Sequence, residues 1–133
     1  MKFIVALIFA LVVGTLGLTD EQKVKLKLYK ESCITESGAD PAIVENAKNG
    51  NVAEDDEKLS CFAACFVKKL GIFGPEGNLD EAILRVRLME SLPEDKVEEV
   101  FQKCKGVEGA TICQKGGKLM KCFVDNKKLA LLN

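Results

Sequence analysis

The stretch KLSCFAACFVKKLG, residues 58–71, decides how this chain folds. Leu59, Phe62, Ala63, Phe66 and Leu70 recur at the i, i+3, i+4, i+7 spacing of an amphipathic helix, so they gather on one stripe of the cylinder. Gly71 supplies the C-terminal stop. At about 100° per residue, Cys61 and Cys65 fall on the side opposite that stripe, one turn apart and pointing the same way. A bridge between these two is disfavoured, because neighbours a turn apart on a helix are poorly placed for the disulfide dihedral. Each therefore reaches for a different helix. The segment reads as a hub, with an apolar wall on one side and two covalent ties on the other.

On its N-terminal side, the acidic run Glu54 to Glu57 lies where the helix dipole favours negative charge, and capping and solubility account for it. Asp40-Pro41 opens a short helix that closes near Asn49-Gly50, with Asp as N-cap and Pro at the first helical position, where its missing N–H costs nothing. Before it, Thr19 and Gln22 form a capping box for a helix running to about Glu36 and ended by Gly38. In that helix Leu26, Tyr29 and Cys33 share one stripe, and Val24 and Leu28 another.

On the C-terminal side, GIFGPEGNL (71–79) holds three glycines and a proline and reads as a loop. Its Ile72 and Phe73 suit a plug over the core or the rim of a cavity. Asp80 caps a fourth helix whose apolar residues, among them Ile83, Leu84, Val86, Leu88 and Met89, spread around its circumference and predict contacts on several sides. Ser91 and Glu94, with Pro93 between them, read as a second capping box, and Val97, Val100, Phe101 and Cys104 then repeat with helical spacing. Thr111 caps a sixth helix in which Ile112, Cys113, Leu119, Met120, Phe123 and Val124 cluster on one side. Gly116-Gly117 inside it costs about 1 kcal/mol per glycine relative to alanine. A close helix crossing explains the pair best, with a ligand lying on the backbone as the alternative.

The ends differ in character from this middle. Met1 to Gly17, with Lys2, an unbroken apolar run from Phe3 to Val13 and then small residues, reads as a secretory signal peptide cleaved after Gly17, leaving residues 18–133 as one domain. The eleven-residue run is too short to span about 30 Å of hydrocarbon as a helix, which argues against an anchor. The C-terminal Lys127 to Asn133 is apolar enough that we expect it to fold back over the domain. Nineteen basic and 20 acidic side chains, less Lys2, leave a net charge of about −2, and the basic pairs are too scattered for a nucleic-acid surface. All six cysteines lie after the leader, where secretion lets disulfides persist. With no histidine and no Cys-x-x-Cys, a zinc site is a poor alternative.

Six cysteines allow fifteen pairings. Their spacings, with 27, 3, 38, 8 and 8 residues in the successive gaps, carry more information. A three-residue gap between the second and third cysteines and an eight-residue gap between the fifth and sixth resemble the insect odorant-binding proteins, the family that includes the pheromone-binding proteins. The resemblance covers essentially the whole chain after the leader. It implies the pairing Cys33 with Cys65, Cys61 with Cys113 and Cys104 with Cys122. It also implies an all-α, six-helix domain, stapled by disulfides and enclosing an apolar cavity.

The function so implied is a secreted, non-catalytic carrier of small apolar molecules in an extracellular fluid such as sensillar lymph. It needs no cofactor and no metal, and is not expected to insert stably into a membrane. Contact with a second copy or a chemoreceptor stays open. Candidates for the ligand wall on the hub helix are Leu59, Phe62, Phe66 and Leu70. Phe73, Ile83, Val86 and Met89 come from the loop and fourth helix, and Val100, Leu119, Phe123 and Leu131 from the remainder, with plain core packing the competing role for each. Met89 and Met120 are flexible fillers suited to varied shapes. Tyr29, Arg85 and Arg87 are the polar candidates for orienting a ligand, though surface roles suit them better. Members of the family are described as releasing ligand on acidification; lacking histidine, this chain would depend on carboxylates such as Asp125 or the terminal carboxylate, which predicts weak release at pH 5 to 6. A small hydrolase fails on inventory, with no histidine base and every cysteine committed, which leaves only carboxylate chemistry. A saposin-like lipid-binding module shares the helices and cysteine count but not the spacing.

Overall fold

The structure is a computed structural model that describes residues 19–126. The leader and the segment from Lys127 onward, including Leu131 and the expected fold-back of the tail, lie outside the described residues. The described residues form six helices: α1 (Asp20–Ser37), α2 (Pro41–Lys48), α3 (Glu57–Lys69), α4 (Glu81–Ser91), α5 (Glu94–Cys104) and α6 (Ile112–Asn126). Among them there is no strand beyond a single antiparallel bridge, Phe73 to Leu79, inside the 71–79 loop.

Local chemistry sets most boundaries. The Thr19–Gln22 box is complete, with the Gln22 N–H donating to Thr19 Oγ1 (3.1 Å) and the Thr19 N–H to Gln22 Oε1 (2.9 Å). Asp40 accepts from the Ala42 N–H, Asp56 from Leu59, Asp80 from Ile83 and Thr111 from Gln114, so four more helices start on a side-chain cap. Gly38 ends α1 in the left-handed conformation, at φ 73°. The Ser91–Glu94 box does not form. Ser91 is still the last residue of α4, Leu92 is extended, and α5 starts after Pro93 with no side-chain cap, so the hydroxyl of Ser91 is buried without a partner among the described residues.

The hub helix α3 packs most extensively on α6 and next on α1, while α5 bridges α4 and α6. Ala64 and Gly116 mark the closest approach: a β-carbon on Gly116 would stand 2.5 Å from the Cα and N of Ala64. The glycine pair thus serves a helix crossing. The structure carries the bridges Cys33–Cys65, Cys61–Cys113 and Cys104–Cys122, the pairing the resemblance implies, so α3 is tied to α1 and α6, and α5 to α6. At the Cys61–Cys113 bridge the two Cα atoms are 4.3 Å apart, beside the crossing.

The core is continuous. Leu59, Phe62, Ala63, Phe66 and Leu70 of the hub stripe are all buried, joined by Leu26, Leu84, Leu88, Phe101, Leu119 and Phe123 from other helices. Ile72 and Phe73 are fully enclosed, so the loop is a plug. Lys115 of α6 holds it there, donating to the carbonyl of Gly77 at 2.9 Å with its ammonium 5.4 Å from the centre of the Phe73 ring. Two expectations need correction. Helix α4 buries only the side carrying Leu84 and Leu88; Val86 and Met89 are 51% and 61% exposed, because α4 lies at the edge of the domain. Ile112 is likewise at the surface, resting over Gly77 rather than in the core.

Candidate functional site

Where the chain leaves α2, Val52, Ala53 and Glu54 run alongside α6 and leave a cleft of about 250 Å³ between them and the start of the hub helix. Leu59 and Ser60 of α3 supply its inner wall, and Gln114, Gly117, Lys118, Met120 and Lys121 of α6 the other. Its buried lining is apolar, from Leu59 and Met120 with half-buried Val52, and its more exposed lining carries Lys118, Lys121 and Glu54. Gly117 helps keep the cleft open on this side, since it adds no side chain between the backbones. Lys121 donates to Asp125 at 2.7 Å, and that hydrogen bond, with the charges of Asp125 and Glu54, raises the lysine above its usual 10.5.

Behind Met120 lies a second, much smaller void of about 10 Å³, lined by Lys30, Val44, Lys48, Phe62, Phe66 and Met120. Phe62 and Phe66 stack there with ring centroids 5.9 Å apart. Met120 borders both spaces and is itself buried.

The structure distributes the sequence candidates unevenly. Leu59 reaches the cleft, and Phe62 and Phe66 line the inner void. Leu70, Phe73, Val100, Leu119 and Phe123 are buried in the core, and Ile83 is half-buried with its Cδ1 against Gly71. Val86 and Met89, facing outward, are not brought to either space, and Leu131 is outside the described residues. Arg87 donates through Nε to the carbonyl of Leu70 at 3.0 Å and so closes the end of the hub helix. Arg85 lies 3.9 Å from the centre of the Phe101 ring and pairs with Glu98, which commits it to holding α4 on α5. Val52, Ser60, Gln114 and Lys118 escaped the sequence reading. Met120 carried a signal as a flexible residue in the apolar arc of α6, Leu59 as a ligand-wall candidate, and Gly117 as half of the glycine pair.

No cation site arises from Glu36, whose carboxylate lies within 4.8 Å of the sulfurs of Cys33 and Cys65, because bridged sulfurs carry no thiolate charge. That carboxylate is instead held below its usual 4.5 by the Ser32 hydroxyl and by Lys69. Lys48 and Lys30 do the same for Glu45, Gln102 and Arg85 for Glu98, and Lys103 for Glu99. Depressed carboxylates contribute stability above their unfolded value and lose it as pH falls through the folded one. With no histidine, thermal melts are expected to hold one midpoint from pH 8 to 5 and to fall only below about 4.5. A midpoint already dropping between pH 7 and 5 would contradict this. Asp125 is exposed and paired with Lys121 rather than set in apolar surroundings.

Among the described residues no helix is long and apolar enough to cross a membrane. The profile of the PBP/GOBP family matches residues 17–126. General odorant-binding protein 56a of Drosophila melanogaster is 35% identical over 122 residues, which span 89% of this chain and 85% of that protein. Among solved structures, a fatty acid binding protein, OBP56a, from the oral disk of the blowfly Phormia regina superposes with a TM-score of 0.65 at 31% identity, covering 84% of this chain and 96% of that one. Odorant binding protein 4 of Chrysopa pallens shares the fold, with a TM-score of 0.68 at 22% identity over 84% of this chain and 94% of its own.

Proposed function

The chain belongs to the PBP/GOBP family, and from that premise we propose that it is a secreted, non-catalytic carrier that holds small apolar molecules against the hub helix. The observation that carries this reading is the cleft of about 250 Å³, whose apolar lining of Val52, Leu59 and Met120 backs onto the stacked Phe62 and Phe66. Ligand sites are ordinarily concave and mostly apolar with a few polar groups at fixed positions, and Ser60, Gln114 and the two lysines fit that role. The apolar leader Met1 to Gly17, taken as a signal peptide, and the three disulfides support secretion, because both suit an oxidising extracellular fluid. The blowfly relative's fatty acid ligand and its oral-disk source extend the ligand classes to be tried beyond odorants, and the tissues beyond the antenna.

Displacement of an apolar fluorescent probe from the oxidised protein tests the proposal. Saturable displacement by at least one class among alcohols, esters, aldehydes and fatty acids is the expected result. Failure of every class to compete overturns the carrier reading. Leakage from lipid vesicles, in contrast, would favour the saposin-like alternative.

A further inference from the structure

Asn49–Gly50, where α2 ends, is the one asparagine–glycine step in the chain. At such a step the backbone nitrogen of the glycine can reach the asparagine side-chain amide, because no β-carbon obstructs it. Both residues are exposed, and a β-carbon built on Gly50 would meet nothing within 4 Å. The folded chain holds the step closed: Asn49 lies at φ −87° and ψ 8°, and the Gly50 N–H donates to the Ala47 carbonyl at 3.0 Å, away from the side chain it would attack. That hold depends on the last turn of α2, a helix of eight residues with no extensive contact to another helix. There the Asn49 N–H is already shared between the carbonyls of Glu45 and Asn46, at 3.2 Å each. Helix ends so thinly packed open locally at little cost in free energy. We propose that Asn49 is a self-modification site, deamidated through a succinimide with Gly50 whenever the last turn of α2 frays.

In the open turn hydroxide takes the proton of the Gly50 N–H, and the nitrogen forms a bond to Cγ of Asn49. The Cγ–Nδ2 bond breaks, and the departing nitrogen takes a proton from water and leaves as ammonia, closing a five-membered imide. Water then opens the ring at either carbonyl. Addition at Cγ breaks its bond to the Gly50 nitrogen and gives aspartate, whereas addition at the main-chain carbonyl of residue 49 breaks the peptide bond there and leaves an isoaspartyl link through Cγ. The sum is an amide and water giving a carboxylate and ammonium, with no oxidant or reductant. Either product sets a negative charge at the C-terminal end of α2, where the helix dipole disfavours it. The isoaspartyl link also lengthens the main chain by one carbon just before Val52, where the cleft begins.

Incubation of the oxidised protein for several weeks at pH 7.5 and 37 °C, followed by tryptic digestion with an unincubated sample as reference, tests the site in the peptide 49–58. Conversion is read as a gain of about 1 Da placed at residue 49 by fragmentation, and the isoaspartyl product by labelling with an isoaspartyl methyltransferase. Asn51 in the same peptide is the internal control: it is also exposed, but the β-branched Val52 follows it and obstructs attack, so it should stay intact. The reduced chain in guanidinium chloride, with no turn left to open, should convert at least about fivefold faster than the folded one. Asn49→Gln should remove the new acidic species from ion-exchange profiles of the incubated protein. An Asn49 that stays intact in the folded protein would overturn the proposal. Conversion of Asn51 at the same rate would remove Gly50 from the mechanism, and equal rates in the folded and unfolded chains would show that the last turn of α2 does not hold the step closed.

Discussion

Full reduction of the three disulfides is expected to abolish the cooperative unfolding transition. The bridges close sequence separations of 32, 52 and 18 residues. In the chain-entropy account each closure contributes about 3 to 4 kcal/mol, an upper figure here because the loops overlap. Half of that sum, roughly 5 kcal/mol, already matches the lower end of the 5–15 kcal/mol by which folded domains ordinarily exceed their unfolded chains. The described core is small, and two of its most enclosed members, Cys33 and Cys104, are themselves bridge sulfurs that would become buried thiols. Denaturant titration with and without reductant, followed by circular dichroism, gives the result directly: a sharp transition for the oxidised chain and a broad, shallow one for the reduced. A midpoint indifferent to reductant would show that packing alone holds the helices. Of the single bridges, Cys61–Cys113 should matter most, since it closes the longest loop and fixes α6 on the hub.

Gly116→Val is the second large effect. In an isolated helix, replacing glycine by a residue with a side chain gains up to about 1 kcal/mol. Here the sign reverses. The new β-carbon would stand 2.5 Å from the backbone N and Cα of Ala64, which no rotamer change relieves, so the helices must part. Overpacking of this kind costs about 1–3 kcal/mol and more when backbone is the obstacle. Gly117→Ala provides the comparison. Its β-carbon would meet Ser60 Oγ at 2.5 Å and Cβ at 3.0 Å, with the Ser60 Cα farther off at 3.3 Å, so the two closest obstacles are side-chain atoms and adding Ser60→Gly removes them. We expect Gly116→Val to lower the denaturation midpoint well beyond Gly117→Ala, and Gly117→Ala to cost little when added to Ser60→Gly, whose own helix penalty of up to about 1 kcal/mol sets the reference. A Gly116→Val protein as stable as the parent would mean that α3 and α6 do not cross in contact.

Much of this architecture was legible because it is encoded within a few residues. The Thr19–Gln22 box, the Asp40-Pro41 start, the Gly38 stop and the period of Leu59, Phe62, Phe66 and Leu70 each depend on near neighbours, and each appears in the structure. The Ser91–Glu94 pair had the same local form and failed, because α4 extends through Ser91 and Pro93 starts α5 unaided. Helical spacing also says which residues share a face, but not which face meets a neighbour. Val86 and Met89 are apolar and exposed for that reason, while Leu84 and Leu88 on the same helix are enclosed. The cleft as a whole was not legible, although Leu59, Gly117 and Met120 of its lining each stood out in the sequence. It exists because an aperiodic segment, Val52 to Glu54, happens to run beside α6, a juxtaposition set by tertiary packing and by the Cys61–Cys113 tie. Lys118 comes to line it only through that neighbourhood.

The order of the three bridges along the chain has a further consequence. The spans 33–65, 61–113 and 104–122 overlap in succession, so every peptide bond between Cys33 and Cys122 lies inside at least one covalent ring. A protease that cuts once anywhere in that interval, including the exposed connections after α2 and α5, opens a ring without releasing a piece. Only the segments before Cys33 and after Cys122 can be shed by a single cut. To a protease the molecule is thus a set of interlinked rings, able to keep its hub helix, and whatever rests against it, after a cut that would divide an unbridged helical domain.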